Sequence, residues 1–200
     1  IEAHCKKILI AKYQYVLNNN DTIALQNITA DLNKETPALR EKIAEKAITL
    51  VSKEEALFFP LDPEKIKNKL AYVAVGIKNS NTISRQMNSE LGADLFYFDF
   101  NVKNQDTIIK LRDSLVKHYQ AVVIGIHQIN RAPANNFGMS NDAVKLVREL
   151  QEKTKTMTLL FGNAYAAKNW SYAPNLVVAY EDDSIIHRTM MRLLTGKINY

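Results

Sequence analysis

Cysteine is nearly missing from this chain, and so are the motifs that usually indicate a cofactor. Only Cys5 is present among 200 residues, so no internal disulfide can form and a thiol-based zinc site is excluded. The G-x-G-x-x-G spacing of dinucleotide sites, the lysine-bearing phosphate loop and the G-x-S-x-G nucleophile elbow are also missing. We therefore expect no cofactor and no bound metal.

Long apolar runs and clustered charge are missing as well. A membrane span needs about 20 consecutive apolar residues, and no run in this chain approaches that length. The formal charge is +5, but the basic residues are dispersed among acids, as in Arg40, Glu41 and Lys42. Because nucleic-acid sites usually cluster their charge, this pattern favours a solvated surface. Neither a nucleic acid nor a membrane is expected as a partner.

The chain does have a repeated pattern of short apolar runs that end in polar loops, and 46% apolar content is ample for a core. Such runs are typical of strands buried on both faces in a parallel sheet. They predict strands at 71–77, 95–100, 121–126, 157–161 and 176–180. Helical periodicity follows each strand, at 80–91, 106–119, 141–155 and, after the last strand, 184–194. This alternation predicts an α/β fold with a mainly parallel sheet.

The first sixty residues show helical patterning instead. Apolar residues recur at helical spacing over 1–17, which predicts an amphipathic helix that ends at 18–21. A second helix is predicted over 37–50. The two prolines of 58–63 then indicate an extended connector. We place a domain boundary there, between a helical linker at 1–62 and an α/β domain at 63–200.

The end of the predicted strand 121–126 is the most informative candidate site, because ligands of open α/β sheets bind beyond the carboxyl ends of the strands. His127 lies at this end, where a general acid or base could be held rigidly. A hydrogen-bonded loop anchor is the favoured alternative for a lone histidine. The long loop that follows adds three candidates for contacting a ligand or a neighbouring module, Arg131, Asn135 and Asn136.

The last two strand ends carry further polar residues. Asn163 and Tyr165 follow Gly162, where the backbone can approach a ligand closely. An acidic cluster, Glu181, Asp182 and Asp183, follows the final strand. These carboxylates could bind magnesium or perform acid-base chemistry. Favourable negative charge at a helix N-terminus is the preferred interpretation.

Five phrases of the chain, taken in order, match one family. They are CKKILIAKYQYVL, EKAITLVSKEEALFFPLD, VVIGIHQINRAPANNFG, LLFGNAYAAKNW and NLVVAYEDDSIIHRTMMRLLTGKINY. Together they cover essentially the whole chain and resemble the C-terminal part of glycoside hydrolase family 3. The resemblance is closest to the bacterial forms related to beta-N-acetylhexosaminidases.

The resemblance implies that 1–62 is the exit from an N-terminal TIM barrel that this chain lacks. It implies that 63–200 is a three-layer α/β sandwich with a mainly parallel sheet of five or six strands. In the family, the barrel supplies the aspartate nucleophile, and in the hexosaminidase-like branch a barrel loop adds a histidine and an aspartate as acid/base. None of those motifs is found here. Two-domain members have a catalytic glutamate after a strand resembling 121–126, whereas 127–141 contains no glutamate.

Retaining glycoside hydrolysis needs two carboxyl groups about 5 to 5.5 Å apart, so we expect no catalytic residue in this chain. The leading hypothesis is an accessory domain of a glycoside hydrolase, inactive alone, that packs on the barrel of the same polypeptide. The candidates for contacting the barrel or its carbohydrate substrate are His127, Arg131, Asn135, Asn136, Asn163 and Tyr165. The alternative is an independent flavodoxin-like ligand-binding or interaction module. A weaker third hypothesis is metal-dependent chemistry at 181–183.

Overall fold

The computed structural model describes residues 1–17, 25–54, 59–66 and 69–199. They form two compact units, Ile1–Pro37 and Ala38–Tyr200. The predicted division at residue 62 stays a prediction. No helix among the described residues is long and apolar enough to cross a membrane.

The first unit is helical, as its periodicity predicts. Helix α1 spans Glu2–Lys12, a π-helical turn follows at Tyr13–Leu17, and helix α2 spans Ile28–Leu32. Neither α-helix buries a residue. The predicted helix end at 18–21 lies outside the described residues.

The second unit is an α/β sandwich around a six-stranded sheet in the order β1-β6-β5-β4-β2-β3. All neighbouring strands are parallel except β1, which pairs antiparallel with β6. The strands are β1 Thr49–Lys53, β2 Leu70–Val75, β3 Asp94–Phe98, β4 Ala121–Ile126, β5 Lys155–Leu160 and β6 Asn175–Val178. The helices are α3 Thr36–Ala47, α4 Pro63–Ile66, α5 Thr82–Leu91, α6 Gln105–His118, α7 Asn141–Lys153 and α8 Ser184–Leu194. The predicted α/β class, the mainly parallel sheet and the helical extension are confirmed.

Strand β1 corrects the predicted helix over 37–50. Helix α3 stops at Ala47, and the chain pairs with β6 from Thr49 onward. The strand lies at the edge of the sheet, and its residues alternate between exposed and half-buried. The apolar spacing of this segment is also compatible with a longer α3. Pairing of Leu50 with Val177 stabilises the strand more than one further helical turn would.

Two apolar layers cover the sheet, which explains why β2 and β4 are buried on both faces. Helices α5 and α8 pack with one layer and α6 and α7 with the other. Every residue of β2 and β4 is buried. Side-chain caps begin all four of these helices, with Asn81 for α5, Asn104 for α6, Ser140 for α7 and Asp183 for α8. These caps hold the loops that follow the strands' carboxyl ends.

Candidate functional site

The site forms where the carboxyl ends of β4, β5 and β6 meet. His127 follows β4 directly, and its side chain is fully buried. Two glycines make room for it. A Cβ on Gly125 would lie 2.7 Å from Nε2 of His127, and one on Gly76, whose φ is +100°, would lie 2.3 Å from the His127 carbonyl oxygen. A side chain at either position would displace the histidine.

The histidine is held by hydrogen bonds at both ring nitrogens. Its Nδ1 lies 2.9 Å from Oδ1 of Asp182, in the loop after β6. Its Nε2 lies 2.8 Å from the hydroxyl of Tyr72, a buried residue in the middle of β2. An ionised carboxylate only accepts, so Nδ1 carries the proton and the Tyr72 hydroxyl donates to Nε2. The anchoring role favoured for His127 is the one these contacts describe.

Asp182 is the centre of the cluster. Its Oδ1 also accepts a hydrogen bond from Nε2 of His187 on α8, at 2.8 Å, and its Oδ2 accepts from the backbone N–H of Gln128, at 2.9 Å. Burial by itself would raise the pKa of Asp182. The hydrogen bonds from His127, His187 and Gln128 outweigh burial and hold that pKa well below its usual range. Asp182 is therefore a firmly ionised carboxylate.

His127 and Tyr72 stay neutral. Burial lowers the pKa of His127, and the hydrogen bond to Asp182 offsets this only in part. Burial also raises the pKa of Tyr72 well above its ordinary value, with the negative charge of Asp182 as the second cause. The ionised Asp182 thus pairs with a neutral His127, which in turn accepts a hydrogen bond from the neutral Tyr72 hydroxyl.

The aromatic ring of Phe161 packs against both histidines. The ring of Phe161, just beyond β5, stacks on His127 with centroids 4.6 Å apart, and its edge contact with His187 has a centroid distance of 4.9 Å. Next to this cluster lies a cavity of about 340 Å³. Its walls include Gln128, Arg131, Gly162, Asn163, Glu181 and Asp182. Asp182, with 22% of its side chain exposed, lies at the boundary between cluster and cavity.

The structure brings some of the predicted contact residues together and separates others. Arg131 and Asn163 both line the cavity, and the Asn163 amide donates to the Arg131 carbonyl oxygen at 2.7 Å. Asn135 and Asn136 lie in a turn with positive φ at both residues, and Asn136 lines a different cavity beside α7. Tyr165 is 81% exposed and lies outside the walls of both cavities.

The acidic residues after β6 have different roles. Asp183 caps α8, accepting hydrogen bonds from the N–H groups of Ile185 and Ile186 at 2.8 and 3.1 Å, and pairs with Arg40. Asp182 joins the histidine cluster, and Glu181 lines the cavity. The helix-terminus interpretation therefore describes Asp183, whereas Asp182 has a partner set that the sequence analysis missed.

Two members of the cluster, Tyr72 and His187, were also missed. Tyr72 looked like another apolar core residue because its neighbours in β2 are all apolar. The signal available was its hydroxyl, the one polar side-chain group in a strand buried on both faces. His187 offers a similar signal, since it lies on the buried face of α8.

Comparison with known proteins identifies solved structures that share the fold of this chain. No family model and no curated protein matches the chain. A glycoside hydrolase family 3 beta-N-acetylglucosaminidase from a Paenibacillus species matches 98% of this chain over 37% of its own, at 20% identity and a TM-score of 0.61. This likeness confirms the predicted sandwich fold.

Two further solved structures share the fold. A beta-glucosidase from Listeria innocua matches 88% of this chain over 27% of its own, at 14% identity and a TM-score of 0.61. A beta-glucoside phosphorylase matches 84% over 30%, at 18% identity and a TM-score of 0.57. The chain spans between 27% and 37% of the length of these three solved chains. Since these neighbours include different activities, the shared fold does not fix the reaction.

Proposed function

We propose that this chain is the accessory sandwich domain of a family 3 glycoside hydrolase, and that it does not hydrolyse glycosides by itself. The observation that carries the proposal is the match of 98% of the chain to part of a family 3 beta-N-acetylglucosaminidase. The activity of that enzyme belongs to a longer chain, of which the match covers 37%. The proposal assigns this chain a supporting role beside a catalytic barrel.

The carboxylates at the strand ends support the lack of independent activity. The loop over 127–141 contains neither aspartate nor glutamate. Both oxygens of Asp182 accept hydrogen bonds from the protein, and Asp183 is held at the start of α8. Asp99, which follows β3, accepts a hydrogen bond from the Asn101 N–H and lies 4.0 Å from Nζ of Lys78. Of the strand-end carboxylates named, Glu181 remains, and a retaining mechanism needs two carboxyl groups with separate roles.

The exposed face of α1 supports a missing neighbour. Leu9 and Tyr13, which lie one turn apart on the same side, are both more than half exposed, and none of the helix is buried. Contiguous exposed apolar surface is typical of an interaction site. In the proposed protein, the barrel covers this helix.

The cavity supports a contact with substrate. Arg131 and Asn163 place a guanidinium group and an amide at its walls, and these groups can hydrogen-bond sugar hydroxyls. NMR titration of the chain with N-acetylglucosamine tests this role. We expect weak, saturable shifts of the amide signals of residues 131, 162 and 163, and an Asn163→Ala variant should lose them. An Arg85→Ala variant, which removes an exposed arginine of α5, should keep them.

A second candidate function is an independent ligand-binding module. The observation that favours it is the cavity itself, which this chain forms entirely from its own residues. Titration with common nucleotides separates the two candidates. Nucleotide-induced shifts without sugar-induced shifts would favour the independent module, and the lack of both would contradict a substrate contact.

A further inference from the structure

Three potential metal ligands converge in the buried cluster. Nδ1 of His127 and Nε2 of His187 lie 2.9 and 2.8 Å from the same Oδ1 atom of Asp182. All three ligand atoms lie within 4.8 Å of one another. Two imidazoles and one carboxylate form a ligand set typical of three-residue Zn²⁺ sites.

Two of these side chains, His127 and Asp182, have the outer contacts that metal ligands need. Metal-binding histidines usually donate their second ring N–H to a neighbouring group, and metal-binding carboxylates are themselves hydrogen-bonded. Tyr72 lies at Nε2 of His127, and the Gln128 N–H donates to Oδ2 of Asp182. A hydroxyl can donate or accept, so Tyr72 can pair with either neutral tautomer of His127.

An ion can reach the cluster from one side. The two histidine rings are almost completely enclosed, whereas 22% of the Asp182 side chain is exposed beside the cavity. The cavity can hold several water molecules. It therefore leaves an open fourth position, as in zinc sites with three protein ligands.

We propose that His127 Nδ1, Asp182 Oδ1 and His187 Nε2 bind a Zn²⁺ ion whose fourth position faces the cavity. The ion replaces the two N–H···O hydrogen bonds to Asp182. Each imidazole moves its proton to its other ring nitrogen, so the proton count of the three side chains is unchanged. In His127 the proton faces Tyr72.

In His187 the proton moves to Nδ1, which is buried and has no hydrogen-bond partner among the described residues. That nitrogen is unpaired both before and after the exchange, so the exchange adds no unpaired buried group. Tetrahedral bonds of 2.0 to 2.1 Å place neighbouring ligands about 3.3 Å apart. The two contacts with Asp182, now 2.9 and 2.8 Å, must therefore lengthen by about half an ångström. The two histidine nitrogens, which lie within 4.8 Å of each other, must move closer together as the rings turn toward the ion.

Calorimetric titration of the untagged, chelator-treated full chain with Zn²⁺ tests the site. The background is a His4→Gln, Cys5→Ser variant, because these adjacent exposed groups could bind zinc at the surface. We expect one ion per chain. Asp182→Asn and His187→Gln should abolish binding at concentrations that saturate the background protein. Tyr72→Phe should weaken it about 10-fold or more, as for other outer contacts, and His118→Gln, at an exposed histidine, should leave it unchanged.

A spectroscopic readout keeps the test decisive if a variant fails to fold. In ¹⁵N NMR of the background protein, Zn²⁺ should shift Nδ1 of His127 and Nε2 of His187 and leave His118 unshifted. Binding that survives both ligand substitutions, shifts confined to His118, or no stoichiometric binding would overturn the proposal.

Discussion

His127 and Asp182 lie 55 residues apart in the sequence, and their side chains meet at 2.9 Å. The contact joins the loop after β4 to the loop after β6. The same carboxylate binds His187 of α8 and the backbone N–H of Gln128. One side chain thus fixes three segments at the carboxyl end of the sheet.

Replacement of this carboxylate should cost substantial stability. Asp182→Ala leaves two buried imidazole N–H groups without an acceptor, and we expect a loss on the order of 3 kcal/mol in the free energy of unfolding. Urea denaturation of metal-free protein measures it. Glu181→Ala, at the exposed neighbouring residue, is the control and should change stability by about 0.5 kcal/mol or less. Equal effects would show that Asp182 is not an anchor.

The contact between Tyr72 and His127 depends on the missing side chain of Gly125. A Cβ at this position would lie 2.1 Å from the Tyr72 hydroxyl oxygen. Gly125→Ala should therefore destabilise the protein by about 3 kcal/mol through overpacking. Gly92→Ala is the comparison, because Gly92 has a φ of +64° but open space around it. Gly92→Ala should cost about 1 kcal/mol, from backbone strain alone. Thermal unfolding measures both variants, and equal losses of stability would contradict the account.

Much of this arrangement follows from local sequence, and the rest depends on pairing over long range. The uninterrupted apolar runs correctly predict β2 and β4 because both faces of these strands are buried. The short edge strand β1 lacks such a run and exists because β6 offers a partner. Its five residues carry little information of their own.

The sequence indicated which strand ends carry polar residues, but not that these residues meet in one site. The position of His127 after β4 indicated a strand-end location, and the acids after β6 indicated another. The sheet order places β5 between β4 and β6, so sequence alone could not show that Asp182 reaches across to His127. Nor could it show that His187 approaches from α8, since helical periodicity places residues on a face without giving their partners.

Asp183 provides a separate test of the acidic cluster. Its Oδ1 accepts two backbone N–H groups at the start of α8. Asp183→Ala should lower stability by about 1 kcal/mol, whereas Asp183→Ser retains the cap and should cost only a few tenths. Chemical denaturation measures both variants. If Asp183→Ser lowers the free energy of unfolding as much as Asp183→Ala does, capping is not the main contribution of Asp183.

The pair of Arg112 on α6 and Glu149 on α7 predicts part of the acid sensitivity. The hydrogen bond from Arg112, with Nη1 2.8 Å from Oε2, holds the pKa of Glu149 below its usual value. A lowered pKa in the folded state stabilises the protein above the unfolded pKa, about 4.3. That contribution is lost as the pH falls through the folded value.

Between about pH 6 and pH 3, a range that brackets that pKa, the free energy of unfolding of Glu149→Gln should therefore fall less than that of the original protein. Urea midpoints at the two pH values measure the difference. Glu152→Gln, at an exposed position of the same helix, is the matched control and should follow the original protein. A parallel pH response in all three proteins would contradict the role given to Glu149.

The hydrolysis of nitrophenyl glycosides tests the central claim most directly. The full chain, assayed with N-acetyl-β-glucosaminide and β-glucoside substrates, should release no nitrophenol above the blank. Asp182 is committed to the histidines and Asp183 to the helix cap, so the end of β6 offers no pair of free carboxylates for a retaining mechanism. A complete family 3 beta-N-acetylglucosaminidase serves as the positive control. Turnover by the chain that Glu181→Gln or Asp182→Asn abolishes would contradict the account and place a catalytic centre at this strand end.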